Sequence, residues 1–345
     1  MRKLVGFIFL SFILLVLIGC ANDDSASGTD GVENGEIEAN ADGEVYELQL
    51  GHIATETNTY HLLAESFKEK VEERSDGRLQ ISIYPNAQLG GDRELVEALT
   101  FGNLDLAIVT SSPVMNFVPE FGVLDIPYLF EDWDQIETFV ESDIVNDLMK
   151  ETEEIGVTTY SIVPRGFRSV TTSNTPVETP EDMEGLTLRV IESEVYLDTI
   201  DAMGATATAM PWADAYTAMQ QGAIDGQEND YPINYAQNVS EVQNHLSLTE
   251  HIFAFFNLMG SSTVIEQLPE DLQQIIEEAA VEASQENGQY NRAEEDNLRQ
   301  LLEDQGMEIN EVDKPAFIEA TSDVREKYGE EYGSTYFEAI RELIE

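Results

Sequence analysis

The residues with the types and spacing to do chemistry are few: Arg168 in GFRSV, Arg189 in GLTLRV, Asn229 at the end of AMQQGAIDGQEN, and Asn58 in TETNTYH. A guanidinium presents a planar fork of donors that matches a carboxylate better than an ammonium does. A side-chain amide adds a neutral donor, and Thr110, directly after LDLAIV, adds a hydroxyl. Trp212 offers a flat apolar face beside them. This set suits holding a small organic anion, and nothing in it breaks a bond. Each residue has a competing structural role. Arg189 and Arg168 are candidates for surface ion pairs, Asn229 and Asn58 for turn or loop caps, and Trp212 and Tyr216 for core positions at helical spacing.

Catalytic and cofactor signatures are missing from the sequence. There is no GxSxG elbow, and the single cysteine, Cys20, lies in the leader. The four histidines, His52, His61, His245 and His251, show no HExxH spacing, and no GxGxxG or phosphate loop occurs. Acidic pairs are too common in this chain to single out a glycosidase-like couple. The expectation is a protein that is not an enzyme, with no cofactor and no metal.

The chain has 345 residues, 42% of them hydrophobic, with 13 Tyr and 15 Phe, enough for two lobes and a substantial core. It carries 68 acidic and 17 basic residues, a net charge of −51. Such a surface repels nucleic acid and anionic membranes, and it fits a salty milieu that screens charge within ~10 Å. Arg2 and Lys3 precede an apolar run over Val5–Ile18 that ends in LIGC. That run is shorter than the ~20 residues of a membrane span and fits a secretory leader, residues 1–20. Residues 21–44 contain eight acids, four glycines and no aromatic, the composition of a disordered tether.

The remaining elements must position the candidate residues. Tyr46, Leu48 and Leu50 alternate as a strand, and Leu63, Phe67 and Val71 mark a helix stopped at Ser75-Asp76-Gly77. RLQISIY is a second strand, residues 92–101 a second helix, and LDLAIV a third strand. This order predicts an α/β fold with a parallel, doubly wound sheet. VLDIPYLF (Val123–Phe130) is too apolar for a surface loop and is placed beneath a cleft. SIVPRGFRSVTT reads as one or two extended segments crossing between lobes. A long helix runs from about Leu268 to Asp304 with Gly288 inside it, and the last segment is an amphipathic helix burying Phe317, Val324, Tyr328, Phe337 and Ile340.

ALTFGNLD (Ala98–Asp105) and AMQQGAID (Ala218–Asp225) repeat alanine, a long aliphatic, glycine and aspartate in step. Two lobes on one plan would bring Thr110–Ser112 and Asn229–Tyr231 to equivalent places. Ligands of open parallel sheets bind beyond the carboxyl ends of strands, so both segments would face one crevice.

TNTYHLLAESFKEKVEERSDGRLQISIYPNAQLGGDRELVEAL, GNLDLAIV, VLDIPYLF and TPEDMEGLTLRV through AYTAMQQGAIDGQEN together resemble the substrate-binding proteins of tripartite ATP-independent periplasmic (TRAP) transporters, in the dicarboxylate-binding DctP-like branch. The resemblance implies a two-lobed periplasmic-binding-protein-like fold with a hinge and a long helix spanning both lobes. Lobe I would take residues 45–166 with about 255–292, and lobe II 167–254 with about 293–345. It implies an organic acid, carboxylate or dicarboxylate, held by Arg189, assisted by Arg168 and Asn229, with Asn58 and the Thr110 loop contributing from the first lobe. Implied partners are a large and a small membrane subunit for a monomeric receptor, periplasmic or on the outer face of the membrane. LIGC resembles the lipobox, which implies lipid attachment at Cys20. A sensor presenting ligand to a membrane kinase, and more remotely an extracytoplasmic lyase or hydrolase, are the alternatives. Thr110 and Pro113 stand where sialic-acid binders of the family carry glutamate and arginine, which argues against sialic acid. Asp214 stands where the family often has glutamate.

Overall fold

Strands that alternate in sequence pair wherever both faces find apolar cover. In the computed structural model, which describes residues 44–345, the first half runs β1 (Tyr46–His52), α1 (Thr59–Arg74), β2 (Leu79–Tyr84), α2 (Asp92–Thr100) and β3 (Leu106–Thr110). The leader, Cys20 and all but the last residue of the expected tether lie outside the described residues. β1 lies between β2 and β3 and parallel to both. Leu106 and Ile108 of β3 join the core under α1, while Ala107 and Val109 join the core on the other face. Both faces are dry, so the strand residues Leu106–Val109 are apolar throughout and do not alternate with polar residues.

After α3 (Trp133–Val140) and α4 (Asp143–Lys150), the chain enters β4 (Val157–Thr172). The second half repeats the plan with β5 (Thr187–Val190), α5 (Glu194–Ala202), β6 (Thr206–Ala209), α6 (Trp212–Gln220) and β7 (Gly226–Asn229). Again the first strand, β5, sits between the other two and parallel to them. Then follow β8 (His245–Ser261), α7 (Glu270–Asp304), β9 (Glu308–Asn310) and α8 (Ser322–Ile344). SIVPRGFRSVTT is thus part of one strand, β4, which pairs antiparallel with β8 along almost its whole length. β3 joins β8 at Phe256–Gly260, and β7 joins β4 at Ser169–Thr172. The sheet order is β2-β1-β3-β8-β4-β7-β5-β6, with β9 on β8. The α/β, two-lobed fold stands as expected, with one difference. Each parallel triplet is joined to its neighbour through antiparallel strands, because the chain passes between halves as extended strand and not as a crossover helix.

The repeated ALTFGNLD and AMQQGAID segments occupy matching places. Gly102 and Gly222 take φ of 68° and 66° just past α2 and α6, the left-handed conformation that ends a helix at little cost for glycine. Asp105 then accepts the backbone N–H of Gln49 in β1 at 2.7 Å, and Asp225 that of Thr187 in β5 at 2.8 Å. In each half the aspartate before the third strand fastens the first strand.

Gly288, inside the 35-residue α7, is explained by proximity: a Cβ there would lie 3.1 Å from Cγ of Pro164. The close approach lets Asn291 donate to the Pro164 carbonyl at 2.9 Å, while Asn287 donates to the Thr59 carbonyl at 3.0 Å. One helix is thereby tied to both α1 and β4. α8 differs from its expected place in the second lobe alone. Tyr328, Tyr332, Tyr336 and Ile340, spaced four apart, pack with Phe139 and Leu148 of the first half, while Lys327 and Tyr328 reach Asp198 of α5 at 2.6 and 2.8 Å. Phe337, expected in the core, is only partly buried.

The segment expected beneath the cleft includes the end of a 3-10 turn (Pro119–Asp125) whose apolar side chains are buried. Asp125 ends it, 2% exposed, accepting from Ser112 at 2.7 Å and from Ser193, in the other half, at 3.0 Å. Burial pushes its carboxyl from 3.8 up to about 7, against the pull of both hydroxyls and of Arg168, with Glu228 adding repulsion. A raised acid favours the folded state most below about pH 3.8 and loses that contribution as pH rises through about 7. Asparagine can accept one hydroxyl and donate to the other. Asp125→Asn should therefore gain melting temperature over the wild type progressively between about pH 4 and 7; a gap independent of pH, followed by thermal unfolding, would remove the ionised carboxylate as the cause.

Candidate ligand-binding site

β3, β5 and β7 all end at one cleft holding about 540 Å³ of empty space, part of it open to solvent. The ends of parallel strands are where open α/β sheets bind a small ligand. Thr110 and Pro113 line it from the first half, and Arg189, Ile191, Trp212 and Asn229 from the second. Arg165 and Arg168 enter from β4. Residues three apart point to opposite faces in a regular strand. The register of β4 on β8 shifts between Pro164 and Gly166 and again between Arg168 and Val170, and across these irregularities both guanidiniums reach the cleft.

Two of the three arginines are matched by their own carboxylates. Arg168, 1% exposed, donates from Nε and NH2 to the carboxylate of Glu228 at 2.5 and 2.8 Å, and from NH1 to Asn229 Oδ1 at 2.8 Å. Arg165 donates from Nε to Asp230 at 2.5 Å and from NH1 to the Tyr60 hydroxyl at 2.6 Å. Burial alone would raise the Glu228 carboxyl, but the charge and hydrogen bonds of Arg168, backed by His251 at 3.5 Å, hold it down at about 2. Asn229 Oδ1 accepts from both guanidiniums and from the Asp230 N–H. That fixes the amide's orientation, and its Nδ2 finds no acceptor among the described residues.

Arg189 is different. It is 3% exposed, donates from Nε and NH2 to the Met210 carbonyl at 3.0 and 2.8 Å, and lies 5.4 Å from the centroid of the Trp212 ring. No carboxylate among the described residues forms a salt bridge with it. Burial lowers its pKa to about 10, so it stays a cation at neutral pH. The surface ion-pair role open to it in sequence is excluded by this placement.

The structure brings Arg189, Arg168, Asn229, Thr110 and Trp212 together and leaves Asn58 out. Asn58 caps α1, accepting the Tyr60 N–H at 3.1 Å, and donates to the Pro232 carbonyl at 3.1 Å. It pins the two halves together and has no place on the cleft wall. The Thr110 hydroxyl is 2.7 Å from that of Tyr60, and Tyr216 donates to Glu241, away from the cleft. Sequence reasoning missed Arg165 and Asp92. Arg165 has the wrong parity for a regular strand; the adjoining Pro164 and Gly166 were the available sign of a bulge. Asp92 reads as an ordinary helix start. Its carboxylate accepts the Thr110 N–H at 3.2 Å and lines the cleft, where burial pushes it up to about 6 against Thr110, Arg165 and Arg189.

The fold and cleft define a two-lobed α/β receptor that presents fixed cationic and amide donors between its halves. The chain belongs to the bacterial extracellular solute-binding proteins of family 7 (DctP), which it matches over residues 50–331, and this is the family its motifs resemble. A solute-binding protein of Verminephrobacter eiseniae is 31% identical over 296 residues, 84% of this chain and 87% of that one. A TRAP periplasmic solute binding protein from a Polaromonas species, solved bound to D-erythronate, is 31% identical with a TM-score of 0.83, covering 86% of this chain and 98% of its own. One from Chromohalobacter salexigens with bound D-glucuronate is 31% identical, TM-score 0.80, covering 86% and 97%. One from Shewanella oneidensis with bound succinate is 26% identical, TM-score 0.83, covering 87% and 100%.

Proposed function

We propose that this protein captures a small organic acid outside the cytoplasmic membrane and delivers it to the large and small subunits of a TRAP permease, without chemical turnover. One observation carries the reading: Arg189 is a buried cation that forms no salt bridge with any carboxylate among the described residues. A buried charge left unpaired is costly, and a carboxylate on its guanidinium would offset that cost with charge-assisted hydrogen bonds. Asn229, its amide turned by Arg165 and Arg168, donates beside it. The acids held by the related proteins, D-erythronate, D-glucuronate and succinate, are all carboxylates and support the same chemistry. Cys20 in LIGC is the point of lipid attachment in this reading, with residues 21–44 as the tether. The two halves, about 45–166 with 255–292 and 167–254 with much of the remainder, close on the acid by bending along β4 and β8.

The test is a thermal-shift screen of carboxylic acids in high salt, which screens the chain's net charge of −51. A ligand at 100 times its dissociation constant adds about 2.7 kcal/mol. At least one acid should raise the melting temperature and be recovered unchanged. A flat response to every acid, or recovery of a converted product, would defeat the reading.

A further inference from the structure

We infer that the cleft selects a monocarboxylate bearing hydroxyl groups, and that Asp92 turns dicarboxylates away; this rests on the capture of an organic acid proposed above and specifies which acids. The argument is one of charge stoichiometry. Three guanidiniums face the cleft, those of Arg165, Arg168 and Arg189. Asp230 and Glu228 neutralise the first two through contacts of 2.5 Å each. Among the described residues Arg189 is then the only cation on the wall without its own carboxylate. Two further acids line the same space, Asp92 and Glu192, and neither forms a salt bridge among the described residues. Outside its closed pairs, the wall therefore carries one positive and two negative side chains.

The first carboxylate of a ligand balances Arg189. A second would find no unpaired cation left on the wall and would face one or both of those acids in a cleft only partly open to water, where like charges repel. Hydroxyl groups meet the opposite reception. Among the described residues the Asp92 carboxylate takes hydrogen bonds from Thr110 alone, from its N–H at 3.2 Å and from its hydroxyl, which leaves lone pairs of a carboxylate free for ligand hydroxyls in the cleft it lines. Burial pushes this carboxyl up to about 6, the mark of an anion short of solvation, which ligand O–H donors would relieve. The Trp212 ring and Ile191, Pro113 and Ile233 supply apolar walls for the carbon chain between the two ends.

Two matched series measured by titration calorimetry on the purified protein, at mildly alkaline pH and high salt, test this. One is D-erythronate, succinate and butyrate; the other is D-gluconate, adipate and hexanoate. Within each series the carbon count is constant and only the functional groups change. In at least one series the hydroxy acid should bind at least about a hundredfold more tightly than the dicarboxylate and than the plain acid, since a site built to bond a hydroxyl rejects analogues lacking it. Asp92→Asn keeps an acceptor for the Thr110 N–H and removes the charge. It should shrink the hydroxy-acid preference over the dicarboxylate at least about tenfold, mainly by tightening the dicarboxylate. A dicarboxylate that binds the wild type as well as the hydroxy acid, or a ratio that Asp92→Asn leaves unchanged, overturns the inference. If such dicarboxylate binding disappears in Arg189→Met, acid capture stands and only the selectivity falls. If none of the six acids binds, both fall. The wild-type comparison decides by itself should Asp92→Asn fail to fold.

Discussion

Replacing Arg189 by methionine should weaken binding of the captured acid by about 2–5 kcal/mol, a factor of roughly thirty to several thousand, the cost of truncating one member of a buried charge pair. The ligand-free protein should melt no lower than the wild type. Its guanidinium is 3% exposed and forms no salt bridge among the described residues, and exchanging such a charge for an apolar side chain of similar length removes a desolvation cost. Against that gain stand two hydrogen bonds to the Met210 carbonyl, the face of Trp212 and the longer-range attraction of Glu228, Asp92 and Glu192, the loss of that attraction being offset in part by relief of repulsion from Arg168. The two effects separate the roles. Calorimetry showing lost affinity with an unchanged unfolding curve is the binding result, whereas unchanged affinity takes Arg189 out of the site. A large fall in both would make Arg189 a structural residue.

Glu228→Gln should do the reverse and damage the fold first. Glu228 is fully buried, and its carboxylate receives Nε and NH2 of Arg168. A glutamine has one acceptor oxygen and no charge, so Arg168 loses its close partner and keeps only Asp230, at 3.9 Å and already engaged by Arg165, at a cost of about 3–5 kcal/mol. At roughly 2–4 °C per kcal/mol for chains of comparable size, the melting temperature should drop by about 10 °C. The pH dependence has a definite sign. The carboxyl is depressed from 4.5 to about 2 in the folded protein, so its contribution is complete above about pH 4.5 and fades as pH falls toward about 2. The gap between wild type and variant should close over that window. A gap as wide at the acid end as at neutrality would assign the loss to packing. Arg168→Met combined with Glu228→Leu should recover much of the stability, because both charges leave together.

How much of this was legible in the residues follows from what each feature depends on. The parallel triplets were readable because β1 and β3 owe their place to local alternation and apolar runs, and the glycine and aspartate of ALTFGNLD and AMQQGAID do the same local job twice. The antiparallel pairing of β4 with β8 was not, since nothing within SIVPRGFRSVTT reports which distant strand will lie beside it. Arg189, Asn229 and Thr110 were found because they follow, or sit in, strands that end at the cleft. Arg165 escaped because a register shift changes its face, and periodicity is blind to a bulge. Asn58 misled for a related reason: its amide is used up by a helix cap and by a carbonyl from the other half, a contact separated by 174 positions in the chain. Asp92 was hidden by the plainness of an acid at a helix start, whose meaning changes only when Arg165 and Arg189 arrive from elsewhere.

The irregular register of β4 has a mechanical meaning. A long antiparallel ladder resists bending most where its rungs are evenly spaced and least where a rung is skipped, and the skips in β4 fall at Thr159–Ser161, Pro164–Gly166 and Arg168–Val170. Arg165 sits within the second skip and Arg168 at the third. In the closing motion proposed above, the joint and two of the three cleft arginines would therefore be the same few residues. Force applied to those guanidiniums acts at the joint directly, with no lever of intervening structure needed to carry it there.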